Sequence, residues 1–101
     1  MAVFEFTAEV WRWSARADQV WAFVSVPREA SEQIEDLAEA LPPAGFGAVR
    51  VRAAIGGSQW TTSVFPGGDG RYSLPVKKAV RVREGLELGD TAQVWIETVD
   101  V

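Results

Sequence analysis

The amino-acid sequence predicts a mainly β domain with two short helices, built as two related halves of one barrel. Three observations lead there. Apolar residues alternate with polar ones at a period of two over several runs, the signature of half-buried strands. Two segments, 21–55 and 70–99, each pass from a short strand through a proline into a helical stretch, and then by way of glycine into a closing strand. Glycine clusters, Gly56-Gly57 and "PGGDG", punctuate the chain where hairpins need reversals.

In residues 3–13, Phe4, Phe6, Ala8 and Val10 fall on one face and Glu5, Thr7, Glu9, Trp11 and Trp13 on the other. The polar run "SARADQ" at 14–19 reads as a turn. After it Val20, Ala22, Val24 and Val26 alternate with Trp21, Phe23 and Ser25. Pairing these runs about the turn sets Trp13 opposite Trp21 and Trp11 opposite Phe23, on the side away from the aliphatic residues. Two readings follow: the four rings pack as a second small core where the sheet bends, or they line an accessible aromatic wall. Packing is the favoured expectation, because bulges are common where small barrels curl.

Pro27 suits a first helical turn. Ala30, Ile34, Leu37, Ala38 and Leu41 follow at helical spacing, with glutamates on the remaining surface, until Pro42-Pro43 stops the helix and Gly45 and Gly47 turn the chain around Phe46. Val49, Val51, Ala53 and Ile55 then alternate with Arg50, Arg52 and Ala54. Beyond Gly56-Gly57, Trp60, Thr62 and Val64 share a face against Thr61, Ser63 and Phe65. The glycines of "PGGDG" lack the lysine and the immediate helix of a phosphate-binding loop, so they read as a turn. Tyr72 and Leu74 form a strand into Pro75, which leads into a helix of two to three turns with an apolar stripe of Val76, Ala79 and Val80. Gly85 is its stop. Leu86 and Leu88 are expected to pack, Gly89 to reverse the chain with Asp90 as a turn residue, and Ala92, Val94 and Ile96 to alternate with Gln93, Trp95 and Glu97 in the last strand.

A chain of 101 residues is one domain, 1–101, long enough to build a core without disulfide or metal. It contains neither cysteine nor histidine, which excludes thiol nucleophiles, thiolate metal sites and imidazole bases. No metal and no cofactor is expected. The N-terminus lacks the pattern of a signal peptide, and no apolar run reaches the ~18 residues of a membrane span, so a soluble cytoplasmic protein is expected. The net charge of −4 disfavours non-specific nucleic-acid binding. That average conceals an asymmetry. The first helical stretch carries Glu29, Glu32, Glu35, Asp36 and Glu39, whereas residues 71–83 carry Arg71, Lys77, Lys78, Arg81 and Arg83 and no acid.

The run from Tyr72 to Ile96 resembles the swapped-hairpin unit of AbrB- and MazE-type regulators: a strand, Leu-Pro, a helix with arginine, Leu-x-x-Gly-Asp and a strand. Over nearly its full length the chain is similar to the bacterial domain-of-unknown-function 1905 family. The matching blocks are "FxAxxWRW" from Phe6 to Trp13, "GFGAVRVRAAIGG" from Gly45 to Gly57, "WTTSVFP" from Trp60 to Pro66, and "YSLPVKKAVR" followed by Gly89-Asp90. The resemblance implies a double-split β-barrel in which one chain supplies both halves that an AbrB-type regulator draws from two subunits. It implies a fold and little function.

A barrel of two related halves leaves a groove near each helix, where ligands usually sit. Lys77 and Arg81 are four residues apart on the second helix, with Lys78 adjacent. Like charges at that spacing cost an isolated helix a few tenths of a kcal/mol. Glu84, the negative helix end or the acidic first helix would offset this, and such pairing is the plainer reading; a bound anion is the functional one. Ser63, Tyr72, Arg50 and Arg52, with Trp60 as a neighbouring aromatic, would extend an anion site if their strand faces converge on it. Catalysis by Lys77 as base or Schiff-base nucleophile, with Asp69 or Asp90, competes with plainer roles in turns and ion pairs. AbrB-like DNA binding is weakened by a basic footprint confined to one half. Self-association, acidic helix on basic helix, is a further possibility. The sequence therefore points to a binding or interaction module for an anionic small molecule or a protein partner.

Overall fold

The structure, a computed structural model, describes residues 2–13, 21–40 and 47–99. Seven strands and two helices follow in the order β1 (Val3–Glu9), β2 (Trp11–Trp13), β3 (Trp21–Ser25), α1 (Arg28–Ala38), β4 (Val49–Ile55), β5 (Ser58–Pro66), β6 (Tyr72–Pro75), α2 (Lys78–Glu84) and β7 (Thr91–Thr98). The expectation of a mainly β domain with two short helices holds. The strands form one curled antiparallel sheet in the order β1-β7-β4-β5-β6-β3-β2. Its two ends, β1 and β2, are consecutive in the chain and meet at Val10, which is fully buried. The backbone of Val10 bonds to the turn before β7, through Val10 N–H to Asp90 O at 2.8 Å and Gly89 N–H to Val10 O at 2.7 Å. One long run thus lies along β7 with its first part and along β3 with its second.

The second half repeats this device. Residues of β5 pair with β4 from Ser58 to Val64, then with β6 at Phe65 and Pro66, and Val64 at the changeover is again fully buried. Where the halves meet, β3 pairs with β6 and β4 with β7. The bonds Val26 N–H to Tyr72 O (2.8 Å) and Val76 N–H to Ala22 O (2.9 Å) are counterparts under exchange of the halves. So are two side-chain bonds at the helix entries, Ser31 Oγ–H to Val26 O (3.1 Å) and Arg81 Nε–H to Val76 O (3.2 Å).

The inward side chains are those the alternation selects: Phe6 and Val10, Ala22, Val24 and Val26, Val49 to Ile55 in steps of two, Trp60 and Val64, Tyr72 and Leu74, and Ala92, Val94 and Ile96. From α1, Ile34 is fully buried while Ala30 and Ala38 pack at the margin of the core. No helix among the described residues is long and apolar enough to cross a membrane.

Three local expectations need correction. Pro75 ends β6 and does not open α2, whose N-cap is Lys77 in an extended conformation; the β3–β6 ladder claims Pro75 and Val76 for the sheet. Ala79 is exposed, so the buried apolar residues there are Val76 and Val80. Leu86 packs on the core, but Leu88 is exposed at the tip of its turn. Gly85 does stop α2, in the left-handed region at φ 64, and Leu86 N–H closes the motif on Arg81 O at 2.8 Å. The Gly56-Gly57 hairpin turn is present, and a Cβ at Gly56 (φ 58) would meet the Glu84 carboxylate. Leu41, the Pro42-Pro43 stop, the turn around Phe46, the "SARADQ" turn and Val20 lie outside the described residues.

Candidate binding site

The anticipated register of the first hairpin is the observed one: Trp11 stands opposite Phe23 and Trp13 opposite Trp21. Trp11 and Phe23 stack, with ring centroids 5.1 Å apart and planes inclined by 26°. Trp11 Nε1–H donates to Ser25 Oγ at 3.0 Å, which holds the indole against the sheet. The expected second core does not form. Trp13 and Trp21 remain 50% and 51% exposed, because their face points away from the side on which both helices and the inner strand faces pack. The aromatic wall is therefore the reading the structure supports.

The wall continues across the junction of the halves. In β6, Ser73 stands opposite Ser25 of β3 on one side and opposite Phe65 of β5 on the other, and Pro75 stands opposite Phe23. Phe65 is 40% exposed. Together Trp11, Trp13, Trp21, Phe23, Phe65, Pro66 and Ser73 line an open trough of about 550 Å³. Its surface is mostly ring and proline carbon, with Ser73 as the only hydroxyl-bearing residue of the lining among the described residues. Such a trough can hold and orient a flat ligand; among the described residues its lining has no group that takes up or releases a proton near neutral pH.

The residues singled out from charge and spacing do not gather at one place. Arg50 and Ser63 are cross-strand partners on the outer face of β4 and β5. Trp60, on the opposite face of β5, is a core residue at 7% exposure. Tyr72 is buried beneath α1, where Tyr72 N–H donates to Ser31 Oγ at 3.0 Å. Burial, and secondarily the Glu35 carboxylate, raises its hydroxyl above the ordinary pKa of 10.0. Lys77 is exposed at the N-cap of α2, and Arg81 turns back on Val76 O.

Glu84, expected to offset Lys77 and Arg81, instead accepts a bond from Ser58 Oγ at 2.7 Å. Among the described residues the ion pair is Arg52 with Glu97 at 3.0 Å, across β4 and β7, so neither Glu84 nor α1 supplies a counter-ion to Lys77. Asp69 and Asp90 have turn roles: Asp69 Oδ1 accepts Arg71 N–H at 3.1 Å, and Asp90 Oδ2 accepts Glu87 N–H at 2.8 Å.

Residues 6–96 match the family model described as Domain of unknown function (DUF1905). The chain belongs to the DUF1905 family. The match spans the whole trough from Trp11 to Ser73, together with Lys77 and both helices. No curated protein is a significant match. The DUF1905 assignment agrees with the resemblance read from the sequence blocks. The trough itself was signalled there by the odd-numbered aromatics Trp11, Trp13, Trp21 and Phe23; Phe65 and Ser73 had no such signal, because they reach the wall only through the β3–β6 and β5–β6 pairings.

Proposed function

We propose that this DUF1905 domain is a binding module whose site is the aromatic trough, and that the trough takes a small molecule with a planar apolar ring system. One observation supports this above the others: two half-exposed indoles face each other beside an already stacked Trp11–Phe23 pair. Burying a large apolar side chain stabilises by ~1.5–3 kcal/mol, and a ligand covering Trp13 and Trp21 takes part of their half-exposed ring surface out of water. Offset stacking on the indoles adds ~0.5–1.5 kcal/mol.

Between the two partner classes suggested by the sequence, the hollow favours the small molecule. Its volume of about 550 Å³ falls in the range of small-molecule pockets, whereas a stable protein interface needs roughly 800 Å² on each side. Binding is favoured over turnover because the described lining offers rings and one hydroxyl. The exchange of long strands between the halves supports the double-split barrel that the family resemblance implies, with the trough astride the junction.

The test is a titration with N-phenyl-1-naphthylamine, an uncharged two-ring fluorophore. Saturable one-to-one binding is expected, weakened about tenfold by Trp13→Ala and by Trp21→Ala in variants that keep the native far-UV circular dichroism. Affinity unchanged in both folded variants overturns the reading.

A further inference from the structure

We infer that the trough is selective for aromatic acids, and that Lys77, set beside Trp21 by the β3–β6 register, is the residue that reads the acid. The inference rests on the trough as a ring-binding site and adds the charge of its ligand.

The placement of Lys77 follows from the ladder. Phe23 stands opposite Pro75, and the pairing continues with Val76 N–H donating to Ala22 O at 2.9 Å. The ladder itself ends at Pro75, and extending its register by two residues puts Lys77 level with Trp21. The backbone of Lys77 is still extended, at φ −66 and ψ 156. Val76 is buried and Lys77 exposed, so the pleat that sends Val76 inward carries Lys77 to the face of Pro75, Phe23 and Trp21. Cross-strand neighbours have Cβ atoms ~4.5–5.5 Å apart, and the lysine stem is long enough to bring the ammonium over the edge of a ring stacked on Trp21.

The charges of the described residues around Lys77 favour an anion. Lys77 has no ion pair with a described residue, and Lys78 beside it is also exposed. Among the described residues, the acids closest to the lining in the chain are otherwise placed. Asp69 is bonded to the Arg71 amide, and Glu9 lies in an adjoining hollow on the other side of Trp11, which it shares with Arg71. Exposed aromatic clusters have a second common ligand, the quaternary ammonium ion held by cation–π attraction. Lys77 at the rim repels that ligand and attracts a carboxylate or sulfonate.

The experiment uses the full chain and three probes: 8-anilinonaphthalene-1-sulfonate, N-phenyl-1-naphthylamine, which has the same ring system without the sulfonate, and phenyltrimethylammonium. The sulfonate is expected to bind about fivefold more tightly than its neutral analogue, the size of a partly exposed ion pair, with the advantage shrinking as salt rises. Lys77→Gln is expected to remove that advantage while leaving the neutral probe's affinity and the thermal midpoint unchanged. Equal affinity of the two naphthyl probes, an equal loss of both in Lys77→Gln, or preference for phenyltrimethylammonium overturns the inference while the trough stands. Failure of both naphthyl probes to bind with one-to-one saturation removes the trough, and the inference with it.

Discussion

Tyr72 is the only tyrosine in the chain, so its ionisation can be followed by itself. The ring is buried, and burial with the nearby Glu35 carboxylate raises its pKa above 10.0. The unfolded chain loses this proton first as pH rises, so the folded state then holds more protons than the unfolded one and stability falls with pH. The contribution of the neutral ring is fully present below the unfolded value of about 10 and is lost as pH rises through the higher folded value. Tyrosinate absorbance near 295 nm should therefore appear later in the folded protein than in urea. The Tyr72→Phe variant should lose less stability than the wild type between pH 9 and pH 12, measured by denaturant midpoints; parallel losses in the two proteins would remove Tyr72 as the cause. Nothing in the sequence marked this residue as buried beneath a helix rather than facing a ligand. Its even-numbered place in β6 put it on the inner face, and the packing of α1 did the rest.

At the scale of elements, α1 is fastened to β6 through Ser31. The hydroxyl accepts Tyr72 N–H at 3.0 Å and donates to Val26 O at 3.1 Å, and Ser31 is almost fully buried. Replacing it by alanine leaves the buried Tyr72 amide without its acceptor, at a cost of ~1–3 kcal/mol. We expect Ser31→Ala to lower the urea midpoint accordingly with no change in slope, while Glu32→Ala, on the exposed side of the same helix, stays within about 0.5 kcal/mol. The helix itself was legible from Ala30, Ile34, Leu37 and Ala38 at helical spacing. The entry to α2 was not, because Pro75 is compatible with either a helix start or the end of a short strand, and only pairing with Phe23 decides between them. Charge spacing did not reveal the local roles of Lys77 and Arg81: they stay one turn apart, but Arg81 is turned to the Val76 carbonyl and Lys77 is the N-cap.

At the scale of the whole molecule, the halves are interdependent. Of the ladder contacts, β1 with β7, β4 with β5, β4 with β7 and β3 with β6 join one half to the other, and only β2 with β3 and β5 with β6 lie within a half. An isolated two-stranded hairpin is marginal in water. Fragments 1–56 and 57–101 are therefore expected to lack near-UV circular dichroism when separate and to regain it when mixed. A native-like spectrum from either fragment alone would show that the halves are autonomous. The same interdependence makes the trough: its walls come from β2 and β3 of one half and β5 and β6 of the other.

By itself the sequence determined the strands, which side chain of each faced inward, the register of the first hairpin and membership of the family. These rest on local alternation and turn chemistry, which any segment expresses through its own backbone geometry. Tertiary structure decided which outward face stayed open. Trp13 and Trp21 are exposed because the curled sheet closes its core on its other side, and Phe65 and Ser73 come to the same place through pairings between segments far apart in the chain. Alternation specifies a side of a strand; only the folded sheet specifies what, if anything, covers that side.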